Sequence, residues 1–300
     1  LEENIRSLIT GSIRGEVLYD EPLSRHSSLK VGGAADIYIT PADLDDLKAV
    51  LIVLGETALS WLVIGSGYNL LARDGGYRGV VISLKRLSRL EQLDGNHIVA
   101  EAGVTNDKLV RFATERCLTG LEFLIGIPGA VGGALCMNAG AQGEEIIGRV
   151  ESLTTVRNGD VRVKGRNELN YGYRFLRLAP GEIIIEATFR MAVGKALEIE
   201  RRIEALLASR RDAQGVGYPN AGSFFKNPQG EQAWRLIEDA GLRGFRVGGA
   251  QVSEVHTNFL VNRGGARSAD FIELARIIKE KVKEQSGIIL EEEIRIVGED

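Results

Sequence analysis

Apolar positions recur at helical spacing in several stretches of this chain and in short continuous or alternating runs in others. Thr40-Pro41 reads as an N-cap followed by proline at the first helical position, and Leu44, Leu47, Val50, Leu51 and Leu54 continue the helix. Trp61–Ile64, Val80–Leu84 and His97–Val104 read as strands, the first ending in glycines. Thr105 caps a helix carrying Leu109, Phe112, Ala113 and Cys117, with Gly120 near its end. Val150–Val156 and Glu182–Met191 are further strands, and Glu198–Arg211 is a charged helix built on Ile199, Ile203, Leu206 and Leu207. Ser268–Ser286 is a long helix with Phe271, Ile272, Leu274, Ala275, Ile278 and Val282 on its apolar side; Gly287 stops it. A last strand, Ile288–Val297, closes the chain, with Ile288, Leu290, Ile294 and Ile296 on the core face. Strands interleaved with helices indicate an α/β or α+β protein.

Length and composition narrow the classes. Three hundred residues allow about two domains, and the boundary is expected near residue 195. A formal charge of −4 and a pI near 5.7 give no electrostatic footprint for nucleic acid. The two cysteines, Cys117 and Cys136, have neither zinc-ligand spacing nor a disulfide framework, which fits a reducing cytoplasm and no metal site. The apolar run Ala49–Leu54 falls well short of the ~18 residues of a membrane span, so no membrane insertion is expected. The start, Leu1-Glu2-Glu3-Asn4, is acidic and lacks a signal-peptide pattern. Glycine is the outlier, with 37 residues against 6 prolines, and suggests tight turns or close approach of backbone to a ligand.

Three glycine-rich stretches carry candidate chemistry. Ile64-Gly65-Ser66-Gly67-Tyr68-Asn69-Leu70-Leu71 follows a strand, and its small residues would let backbone N–H groups converge on phosphate oxygens. Leu70 stands where a dinucleotide fingerprint needs its third glycine, so an ordinary tight turn remains an equal reading. Gly126-Ile127-Pro128-Gly129-Ala130-Val131-Gly132-Gly133 and Met137-Asn138-Ala139-Gly140-Ala141 suit close approach to a flat or diphosphate-bearing ligand, or else a glycine-rich crossover between sheets.

Three further stretches hold candidate reacting groups. In Tyr171-Gly172-Tyr173-Arg174 the arginine offers a planar two-pronged donor for a carboxylate. Ser223, in Asn220-Ala221-Gly222-Ser223-Phe224-Phe225-Lys226-Asn227-Pro228, is outside any nucleophile elbow, but a serine can still give a proton to a basic carbanion. His26, His97 and His256 have no triad context and read as structural or surface residues. Leu290-Glu291-Glu292-Glu293-Ile294-Arg295 sets three carboxylates side by side, and their repulsion would let one keep its proton at higher pH than usual.

The order G-S-G-x-N, I-P-G-x-V-G-G, M-N-A-G-A resembles the FAD-binding half of the MurB reductases, and Ser28 to Asp36 resembles that family's entry into its first lobe. The resemblance runs from about residue 25 to the C-terminus. It implies an α+β protein: a two-lobed FAD-binding domain of the vanillyl-alcohol-oxidase-like (PCMH-type) flavin fold at 1–195, with lobes at about 1–85 and 86–195, and a C-terminal α+β substrate-binding domain at 196–300. It implies non-covalent FAD held by Gly65, Ser66, Gly67, Tyr68, Asn69, Leu70, Ile127, Pro128, Gly129, Gly132, Gly133, Asn138 and Ala139, with NADPH as co-substrate. UDP-N-acetylglucosamine enolpyruvate is the implied substrate, in cytoplasmic synthesis of peptidoglycan precursors. Arg174 and Glu293 are the implied stabilisers of charge and Ser223 the implied proton donor, while Arg210, Arg211, Lys226 and Asn227 are candidate contacts of the nucleotide diphosphate. The family's Y-R-x-S motif appears as Tyr173-Arg174-Phe175-Leu176, so the serine's role is in question. The short span from Arg174 to Gly222 resembles the subclass without an extra substrate-covering loop. Two alternatives are another FAD-dependent oxidoreductase of the same fold and a non-catalytic nucleotide-sugar binding protein.

Overall fold

In the computed structural model, residues 3–57 and 59–300 are described, with side chains except at 3–7 and 212–214. Leu1 and Glu2, half of the acidic start, lie outside them. The helix expected from Pro41 begins instead at Leu44 and runs to Gly55. Its N-cap is Asp43, whose carboxylate accepts the Asp46 amide at 2.9 Å. Thr40 cannot take that part, because the Ala42 amide is committed to the Asp46 carboxylate in a turn. Asp46 is 2% exposed and accepts the amides of Arg14, Gly15 and Ala42, each at 2.8 Å. One buried carboxylate thereby satisfies three backbone donors that would otherwise be stranded.

Two compact units form. The first comprises Leu1–Tyr19, Ile37–Ser66 and Gly79–Arg210, the second Asp20–Asp36, Gly67–Arg78 and Arg211–Asp300. The chain therefore crosses at Arg210, not near 195, and two early segments join the C-terminal part. Within the first unit two cores are separate. Ile37, Leu47, Val50, Val80 and Ile82 belong to one, and Ile98, Leu109, Phe123, Leu153 and Phe189 to the other. The second core lies on an antiparallel sheet in the order Asp160–Gly165, Val150–Arg157, Ile183–Arg190, His97–Glu101, Leu90–Gln92. Another sheet orders Glu16–Pro22, Ala34–Thr40, Tyr77–Ser83 and Trp61–Ile64, the last two parallel. Thr105 caps its helix as expected, but the helix ends at Thr114, and Cys117 follows with φ +54°.

The second unit packs the helix Ser268–Ser286 over an antiparallel sheet ordered Asn220–Ser223, Phe259–Asn262, Ala250–Val252, Arg246–Val247. Phe271, Leu274, Ala275, Ile278 and Val282 form the buried stripe. Gly287 ends the helix at φ 74°, where a side chain would be strained. The expected long terminal strand shrinks to Arg295–Val297, which pairs in parallel with Leu70–Ala72. Upstream of it only Glu292 makes an isolated bridge, to Phe225. The period of two persists nonetheless: Leu290 and Ile294 are buried and Glu291 is exposed.

Asp46→Ala is expected to lower unfolding free energy by about 2–4 kcal/mol, since buried amides lose their acceptor. Asp46→Asn, which keeps one carbonyl oxygen, should cost less. Urea unfolding of both variants checks the order.

Candidate functional site

In the first unit, the strand Trp61–Ile64 delivers Gly65 beside the short helix Val131–Cys136. A Cβ placed on Gly65 would meet only Gly133, at 3.9 Å, and one on Gly133 would meet nothing within 4 Å. Two glycine stretches thus face each other with no side chain filling the space at either. Gly129, at φ +125°, is similarly open. Gly132 differs: a Cβ there would lie 2.9 Å from the Ala102 side chain, and its amide already donates to the Ala102 carbonyl. Its glycine serves helix-to-strand packing. Asn106, which the sequence did not single out, holds this loop by donating to the Ile127 carbonyl at 3.1 Å and to the Gly129 carbonyl through its backbone.

Arg174 sits in the turn of a hairpin formed by Asn170–Gly172 and Phe175–Arg177. Its φ is +62°, and its guanidinium donates to the Gly140 carbonyl at 3.4 Å. Leu176 faces the core at 8% exposure, so the residue in the family's serine position is a packing residue here. Asn138 is fully buried; its amide donates to the Glu145 carboxylate at 2.6 Å and the Gly172 carbonyl at 3.0 Å.

The second unit brings distant stretches together. Ser223 ends a strand broken by a register shift after Asn220, and Gly222 there has φ +73°. Such a bulge re-aims the side chain that follows. Phe224 and Phe225 are buried behind Ser223, and the Asn258 side chain clamps Phe225 by accepting its amide at 3.0 Å and donating to its carbonyl at 2.8 Å. The Glu293 amide donates to the Phe224 carbonyl at 2.8 Å, and the Lys226 amide to the Glu291 carbonyl at 2.8 Å. Asn69 then donates to the Glu293 carbonyl at 3.0 Å and accepts the Arg295 amide at 3.1 Å. Ser223, Glu293 and Asn69 are therefore parts of one backbone network. Gly67 in the same unit is a packing residue: a Cβ would lie 1.8 Å from the His26 carbonyl oxygen. Tyr68 is exposed and Leu70 buried.

The acidic run is not three repelling carboxylates. Lys226 pairs with Glu291, and Lys279 holds Glu292 at 3.0 Å. Lysines thus answer Glu291 and Glu292, so mutual repulsion along the run does not by itself account for an acid form of Glu293. Among the diphosphate candidates, Arg210 donates to the Phe123 carbonyl at 3.2 Å and lies against Gly126; burial lowers its pKa. Asn227 accepts the Ala233 amide at 3.0 Å, at the start of the helix Ala233–Asp239. Arg211 is exposed. His256 packs on Phe259 with ring centres 4.7 Å apart, and burial lowers its pKa, in keeping with a structural histidine.

Comparison with known proteins now decides the family. The FAD binding domain model matches residues 35–163, and the C-terminal domain model of UDP-N-acetylenolpyruvoylglucosamine reductase matches 214–297. The UDP-N-acetylenolpyruvoylglucosamine reductase of Geotalea uraniireducens (strain Rf4) is 59% identical over 100% of both chains. The chain belongs to the UDP-N-acetylenolpyruvoylglucosamine reductase family. The reductase of Clostridium kluyveri is 43% identical over 95% of this chain and 94% of its own. The crystal structure of MurB from Thermus caldophilus superposes with a TM-score of 0.81 at 35% identity, covering 95% of this chain and 99% of that one. As a MurB family member the chain is an FAD-dependent oxidoreductase of peptidoglycan precursor synthesis, with the vanillyl-alcohol-oxidase-like flavin fold. No helix among the described residues is long and apolar enough to cross a membrane.

The open backbone at Gly65, Gly129 and Gly133 fits a flat cofactor in close contact, whereas Gly67 and Gly132 answer to the protein's own packing. Gly133→Ala separates the two demands. In a helix it should leave the cofactor-free fold intact or stabilise it, by up to about 1 kcal/mol. FAD, crowded by the new methyl, should bind roughly tenfold more weakly, the scale of a 1–3 kcal/mol overpacking cost. Melting of the cofactor-free protein and an FAD titration measure each effect.

Proposed function

We propose that Arg174, Ser223 and Glu293 carry the reduction of the enolpyruvyl ether of UDP-N-acetylglucosamine to the lactyl ether of UDP-N-acetylmuramate. The observation that carries this reading is the 2.8 Å hydrogen bond from the Glu293 amide to the Phe224 carbonyl, which fixes the acid's backbone beside that of Ser223. FAD, which the open backbone at Gly65, Gly129 and Gly133 would hold non-covalently, would supply the terminal enolpyruvyl carbon with a hydride that originates from NADPH. Negative charge then grows on the substrate carboxylate. Arg174 opposes it with two parallel donors, and Glu293 in its acid form donates a hydrogen bond; both act where charge develops. Ser223 delivers the proton to the adjacent carbon, so the double bond gains one hydride and one proton.

The nucleotide diphosphate is assigned to Arg211 and Lys226. Lys226 would exchange its pairing with Glu291 for phosphate. Arg210 and Asn227 have structural duties of their own and contribute less directly.

Ser223→Ala should still bleach its flavin with NADPH at a near-normal rate, because the serine acts only after hydride leaves the flavin. Reoxidation by the enolpyruvyl substrate should slow by about 10²–10⁴, the usual cost of a lost general acid. Stopped-flow absorbance resolves the two halves; loss of neither removes Ser223 from the chemistry. Glu293→Gln keeps a donor and should be milder than Glu293→Ala in the same assay. Wild-type turnover in both Glu293 variants would make that segment purely structural.

A further inference from the structure

We infer that Asn138 is a positioning residue for Arg174, and that the loop from Met137 to Ala141 latches the hairpin carrying the arginine. The inference rests on the role of Arg174 given above. Register Gly172↔Phe175 leaves Tyr173-Arg174 as a two-residue turn between strands of three residues each. A hairpin that short is marginal in isolation. Its arginine has φ +62°, a left-handed conformation that costs a residue with a side chain roughly 1–2 kcal/mol. Such a conformation persists only where surrounding structure over-determines it.

The polar restraint on the Gly172 strand comes from the Asn138 amide. Asn138 is 0% exposed and itself at φ +40°, a region that asparagine tolerates. Its NH2 donates to the Gly172 carbonyl at 3.0 Å and the Glu145 carboxylate at 2.6 Å, while its oxygen accepts the Ile147 amide at 3.3 Å. Two acceptors on one side and one donor on the other fix which end of the amide faces which. The Glu145 end belongs to the small hairpin Gly140–Ala141 and Glu144–Glu145. The guanidinium of Arg174 returns to that hairpin at the Gly140 carbonyl, 3.4 Å away. The two hairpins are thus tied by the Asn138 side chain at Gly172, two residues before the arginine, and by the arginine itself at Gly140. Both amide hydrogens are spent inside the protein, so the side chain acts on the reaction through the hairpin.

Asn138→Asp keeps the shape but sets an oxygen against the Glu145 carboxylate and the Gly172 carbonyl. In the holoenzyme, compared with wild type at equal FAD occupancy, it should slow flavin reoxidation by the enolpyruvyl substrate by about 10–100-fold, the scale of an ångström's misplacement. The double variant with Arg174→Ala should be no slower than Arg174→Ala alone, because the asparagine works only through the arginine. Amide hydrogen exchange across residues 170–177 should quicken, with the Ser268–Ser286 helix unchanged. Multiplying rate losses in the double variant, or unchanged exchange at 170–177, would overturn the assignment. If Arg174→Ala alone keeps full turnover, the reading of Arg174 fails instead, and the exchange measurement, which needs no turnover, still decides the latch. Should Asn138→Asp not fold, Asn138→Ser retains one donor; a smaller slowing with the same non-additivity and faster exchange is expected.

Discussion

The second unit depends on a short antiparallel contact between residues 224–226 and 291–293. Its two flanking hydrogen bonds, Glu293 to Phe224 and Lys226 to Glu291, join segments far apart in the chain. Neither segment could hold this geometry alone, since their backbone pairing is an isolated bridge at Phe225 and Glu292, supplemented by the Lys226–Glu291 ion pair. Burial supplies the rest. Phe224 and Phe225 are anchored in the same core as Leu290 and Ile294, so both backbones are fixed from below while Ser223 and Glu293 remain partly accessible. Non-local pairing of this kind has a large closure entropy, which a shared apolar core must offset.

Asparagine does much of the remaining local work in each unit. Asn106 and Asn138 in the first, and Asn69 and Asn258 in the second, each bond to backbone groups of a distant segment. A carboxamide carries the donor and acceptor of a peptide group without its chain, so it can extend a backbone ladder where no strand is available. Asn258 does this at Phe225, bonding both its amide and its carbonyl. Buried amides are costly when unpaired, and this makes them specific: one arrangement satisfies them and others do not.

Helices with strong periodicity were readable in the sequence, because their stripes are set by local spacing. The stripe Phe271, Leu274, Ile278 and Val282 is buried as its spacing requires, and Gly287 stops the helix through a backbone preference that is also local. Boundaries set by tertiary hydrogen bonds were not readable. Asp46 displaces the helix start from Thr40 by taking the Ala42 amide, and the amides of residues 14 and 15 bind the same carboxylate. The terminal strand is shortened because its neighbours are a loop and an isolated bridge, and alternation alone does not reveal the partner. The glycine loops read alike in the sequence, and only the space around each residue separates Gly65 and Gly133, where a Cβ would be uncrowded, from Gly67 and Gly132, where it would meet the chain itself. Asn106 and Asn258 gave no signal, since their partners lie 21 and 33 positions away. Lys226 and Lys279 likewise altered the meaning of the acidic run, which reads as mutual repulsion until the lysines are placed.

Leu176 shows how a departure from the family pattern is accommodated. Cross-strand from Tyr171, it points into the core with Leu135, Ile146 and Phe189, where an unpartnered hydroxyl would be a liability. Burying a leucine there contributes about 1.5–3 kcal/mol relative to leaving it exposed. That is comparable with the ~1–2 kcal/mol strain of the left-handed residue two positions earlier. Packing at Leu176 anchors one strand of the hairpin and the Asn138 amide the other, at Gly172. The strained turn is held from both sides, one apolar and one polar. Leu176 thus serves as apolar support of the turn that carries Arg174.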